Sequence, residues 1–72
     1  PEHLKWQLRA AILALETDNR RASLQWLRSL KSLAKTEEGW DAARVQRLTR
    51  RAREAGKEAL PELEALLAEH EG

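Results

Sequence analysis

The chain has 72 residues, which bounds it to one domain spanning 1–72, with a core only marginally large enough to hold a fold without staples. One valine, one isoleucine and no Phe or Tyr argue against a sheet, while Leu, Ala, Glu, Arg and Lys favour helix; no apolar run approaches the ~20 residues of a membrane span. The absence of cysteine excludes disulfides and thiolate metal sites, and a net charge of +1 disfavours strong nonspecific binding to nucleic acid.

The first residues lead straight into an amphipathic stretch, with no leader pattern. At about 100° per residue, Leu4, Leu8, Ala11, Ile12 and Leu15 share one side of a helix expected over Glu2 to Glu16. Trp6, Ala10 and Leu13 make a second apolar stripe beyond a polar arc, so this helix is apolar over more than the usual face. Thr17, Asp18 and Asn19 form the break, because short oxygen-bearing side chains cap orphan helix N–H groups.

The second helix runs to about Lys35, with Ala22, Ser23, Trp26, Leu27, Leu30, Leu33 and Ala34 on its core side. Leu24 falls off that side, among Arg20, Lys31 and Lys35. Gly39 suits a left-handed terminus, and Asp41 or a nearby residue is placed to cap a third helix ending near Ala55. That helix offers a narrow face of small residues: Ala42, Val45, Leu48, Thr49, Ala52 and Ala55. Gly56 is the clearest stop signal, and a fourth helix is expected from Glu58 or Pro61 to His70, its core face made by Leu60, Leu63, Leu66 and Leu67. Breaks this short predict an all-α, compact antiparallel array of four short helices, or a three-helix bundle with a short C-terminal helix.

Charge is unevenly placed. Residues 17–35 hold Arg20, Arg21, Arg28, Lys31 and Lys35 against Asp18; residues 57–72 hold Lys57 against Glu58, Glu62, Glu64, Glu69 and Glu71. The simplest expectation is that the basic middle packs beside the acidic end.

Several constellations bear on function. His70 lies among the leucines of the last helix and His3 opens the first, so an up-down bundle could bring the two together around a metal or haem iron. No inward carboxylate accompanies them, and the expectation is no metal and no cofactor. Arg44, Arg47, Arg50 and Arg51 cluster on helix three with Trp40 pointing the same way, a footprint for an anionic ligand or nucleic acid, or simply a solvated face beside glutamates. Arg20-Arg21-Ala22-Ser23-Leu24 has the pattern of a basophilic kinase site, but Ser23 falls on the buried face and reads as a small residue making room in a core. No nucleophile elbow, glycine-rich phosphate loop or paired inward carboxylates with histidine is present, so no catalysis is expected.

Trp26 reads as structural, at the centre of its helix's core stripe. Trp6 and Leu13, extended by Leu24, form either an exposed interaction patch or the second buried face of a central first helix.

The sharp helix punctuation, the absence of aromatics other than Trp, and the run Glu58-Ala59-Leu60-Pro61-Glu62-Leu63-Glu64-Ala65-Leu66-Leu67 resemble a computationally designed helical miniprotein, which implies a binder or a scaffold. Gln25, Ser29, Ser32 and Thr49 depart from pure stability choices and suggest a surface shaped for more than folding. The positions of Trp6, Ala10, Ala22 and Trp26 are similar to a tetratricopeptide unit, yet Arg44 and Gly56 break the second copy, leaving helical-hairpin geometry. The expected function is noncovalent recognition of a protein or peptide, with Trp6, Leu13 and Leu24 as anchors and Arg20, Arg28 or Lys31 as a polar rim. The alternatives are a scaffold or self-assembling bundle without ligand, and anion binding by Trp40, Arg44, Arg47 and Arg51.

Overall fold

A computed structural model describes residues 2–71, and side chains from His3 to Glu71. Helix α1 (Glu2–Glu16) ends in a six-residue hydrogen-bonded closure: Asn19 N–H donates to Ala14 O at 2.8 Å and Asp18 N–H to Leu15 O at 3.2 Å. Asp18 takes the left-handed conformation this closure needs, φ 64°, a place usually given to Gly but open to Asp and Asn. One residue later the Asn19 side chain accepts the Ala22 N–H at 3.1 Å, starting α2 (Arg20–Ala34). Three polar residues therefore end one helix and start the next.

Helix α3 (Ala42–Ala55) starts where Asp41 accepts the N–H groups of Ala43 and Arg44 at 2.9 and 3.3 Å, as its position predicts. It stops at Gly56, φ 61° and ψ −131°, a conformation hostile to any residue with a Cβ. The expected separate fourth helix is corrected here. A single turn of 3₁₀ helix (Gly56–Ala59) leads directly into α4 (Leu60–Glu71), with no non-helical residue between. The described residues thus form three helical runs, the last long and folded back on itself at Gly56. The turn stays helical because the Leu60 N–H reaches Lys57 O, and Pro61 sits in the first turn of α4, where its missing N–H costs nothing. Among the described residues there is no strand, and no helix is long and apolar enough to cross a membrane.

The core takes one face from each run: Leu4, Leu8, Leu15, Leu27, Leu30, Val45 and Leu63 are fully enclosed. Each such leucine contributes roughly 1.5–3 kcal/mol by leaving water. Ser23 lies among them, its Oγ donating to Ala11 O at 2.7 Å, so the polar atom costs little and the small side chain lets α1 and α2 approach closely. Thr49 is handled the same way, donating to Val45 O at 2.8 Å.

The expected pairing of the basic middle with the acidic end does not occur. The α4 carboxylates reach α3 and α1: Glu69 holds Arg44 through two bonds of 2.6 and 2.7 Å, Glu62 holds Arg51 at 2.9 Å, and Glu71 holds Arg9. Helix α2 packs against α1 and α3 on the side of the array opposite α4, which folds back against α1 and α3 from the other side.

Candidate binding surfaces

Helix α1 buries the Leu4–Leu8–Leu15 line and turns its second stripe outward. Trp6 is 66% exposed and Leu13 61% exposed, with Ala10 half-buried between them. Seven residues on a helix is nearly two full turns, so Trp6 and Leu13 point the same way. The alternative in which α1 is a central helix covered on both stripes is thereby excluded.

Trp26 departs from expectation: it is 42% exposed rather than central in the core. Serine and leucines at Ser23, Leu27 and Leu30 fix the buried line of α2, and Trp26 stands about 70° off it. Arg28 and Lys31, on the opposite flank, line a cleft shared with α3, so Trp26 occupies the flank toward α1. The Ser23–Ala11 bond sets the antiparallel register of the two helices, and Trp26, one turn beyond Ser23, comes level with the α1 turn before Ala11. Among the described residues the three large exposed apolar side chains thus belong to the two helices of one hairpin, Trp6 and Leu13 on the outer stripe of α1 and Trp26 on the flank of α2 toward α1.

Leu24 does not extend this patch. It is half-buried, packs against the core, and borders a cleft with Arg20, Arg21, Gln25 and Arg28 on the α3 side of α2. Arg28 and Lys31 share that flank, so the expected rim is separated from the Trp6 stripe by the thickness of the helix. Arg20 has a different task. Its Nη1 donates to Arg53 O at 3.0 Å, satisfying a carbonyl at the end of α3.

The expected anion-binding set is also dispersed. Trp40 stacks on His70, ring centroids 3.7 Å apart and planes 5° from parallel, and packs against the core instead of joining the arginines. Arg44 and Arg51 are held by Glu69 and Glu62. The Glu69 carboxylate is pushed below its ordinary pKa chiefly by its hydrogen bonds to Arg44, and Arg44 is raised in return. Arg47 remains on the outer rim of the α3–α4 groove. His70 is held below its ordinary pKa, first by burial and then by Arg44 and Lys5, with Glu69 opposing. His3 bonds the Gln7 amide at 3.2 Å. Among the described residues no group of three or more His, Cys, Asp and Glu side chains is placed to hold a metal ion.

No family model, no curated protein and no solved structure matches this chain.

Proposed function

We propose that the chain is a non-catalytic binding module that recognises a protein or peptide through the outer face of the α1–α2 hairpin, with Trp6, Leu13 and Trp26 as its anchors. The observation that carries the reading is the exposure of all three on the two helices of one hairpin. Large apolar side chains left in water on one side of a small domain mark interaction surfaces, and tryptophan leads the residues whose truncation costs most at interfaces. The supporting scaffold is rigid: a three-residue connection and the buried Ser23 bond hold the two helices in fixed register. The resemblance to computationally designed miniproteins supports the same reading, since a design made only for stability keeps tryptophan and leucine out of solvent.

The test is a selection of helical peptides from a displayed library on the parent chain, followed by affinity measurements on W6A, L13A and W26A. Each substitution is expected to weaken selected peptides about 30-fold or more while leaving thermal stability nearly unchanged. Peptides that bind all three variants as tightly as the parent would overturn the proposal. A parent chain that sediments as a dimer, and as a monomer once Trp6 is replaced by Lys, would assign the same face to self-assembly instead.

A further inference from the structure

We infer a second binding site, for a short phosphate chain, in the cleft between α2 and α3. Arg28 and Lys31 from α2 and Arg50 and Arg53 from α3 line a cleft of about 260 Å³, with Gln46 and Thr49 completing it. Helix α2 has no acidic residue anywhere along Arg20–Ala34, and no carboxylate lines the cleft. Among the described residues none of these four cations forms an ion pair, whereas Arg9, Arg44, Arg51 and Lys57 each have a carboxylate partner. Glu62 and Glu69 of α4 pair with Arg51 and Arg44 on the other side of α3, so among the described residues no carboxylate pairs with the cations of this cleft.

Four like charges around one cleft repel one another and gain most from a multiply charged guest. Three of the four are arginines, whose planar fork suits phosphoryl oxygens and gives two bonds at once. Gln46 adds an amide donor at the wall. A second cleft, lined by Arg20 and Arg21 and sharing Arg28, continues the cationic path toward the start of α2. The ligand is therefore elongated rather than a single phosphate. No aromatic side chain lines either cleft, so there is no platform for a nucleobase, and recognition is confined to the phosphates.

The experiment titrates the chain with inorganic tripolyphosphate by calorimetry at low and at physiological salt, in parallel with R28Q, R50Q and, as a control on the other rim of α3, R47Q. One-to-one saturable binding is expected, weakened about tenfold by R28Q and by R50Q and less than about twofold by R47Q. Circular dichroism checks that the variants remain folded. Adenosine triphosphate without metal distinguishes a free phosphate chain from a nucleotide's: affinities within about twofold of each other are expected, since the base finds nothing to stack on. Equal binding by R28Q, R50Q and the parent, a titration that never saturates at one-to-one, or a tenfold preference for the nucleotide would overturn the assignment.

Discussion

Replacing Gly56 by Ala tests the joint on which the architecture turns. Gly56 has φ 61° and ψ −131°, outside the regions open to L-residues with a side chain, and forcing alanine there costs roughly 1–3 kcal/mol. The added Cβ would also stand 2.4 Å from Arg20 Nη2 and 3.2 Å from its Cζ. The guanidinium is the far end of a flexible side chain and swings away, but it then loses its 3.0 Å bond to Arg53 O. That bond is exposed to solvent, so its loss adds only about 0.5–1 kcal/mol. The sum is about 1.5–4 kcal/mol, or roughly 6–30 °C in Tm for a domain of this size. Urea unfolding followed at the helical dichroism band gives the number. Arg20→Ala provides the control: G56A in that background is expected to lose only the strain, so the two changes are less than additive. A G56A variant within about 0.5 kcal/mol of the parent would refute the claim that the glycine conformation and the Arg20 cap define this joint.

Two further outcomes are expected. Leu63→Ala removes a fully enclosed side chain and lowers stability by about 2–5 kcal/mol, measured by the same urea titration. Burial holds His70 below its ordinary value of 6.5, so the unfolded chain takes up this proton first. Its contribution to stability is therefore complete above pH 6.5 and declines as the pH falls from there toward the lower folded value, and H70Q flattens that slope in urea midpoints measured between about pH 7.5 and about pH 5.

The helices were legible because each signal had one meaning. Asp41 before Ala42 and Gly56 after Ala55 bracket α3 where the structure ends it. The leucine line of α1 likewise identifies its buried face. Charge placement was less legible, since sequence separates acids from bases along the chain but does not say which helix folds between which others. The α4 carboxylates meet α3 and α1 because α4 lies there, and α2 is left basic. The same gap explains Trp26 and Trp40. A tryptophan near the edge of an apolar stripe is covered or bare according to its neighbours, and only the packing shows that Trp26 lacks a lid while Trp40 has His70. The stripe of Trp6 and Leu13 was legible as a pattern; its exposure required knowing that no other helix covers that side of α1.

The direct passage from α3 through one 3₁₀ turn into α4 has a consequence for how copies of the chain can associate. The backbone at Gly56 turns residues 42–71 away from one continuous helical rod of about 45 Å, which would still kink at Pro61. Once that bend is relieved, α4 no longer returns to its own α1; it projects outward with Leu63 and Leu66 bare, and the matching vacancy exists on any second molecule in the same condition. Two chains then trade their last helices, each completing the other with the same leucines and the same Arg44–Glu69 clasp. A single glycine thus directs the last helix back onto its own chain.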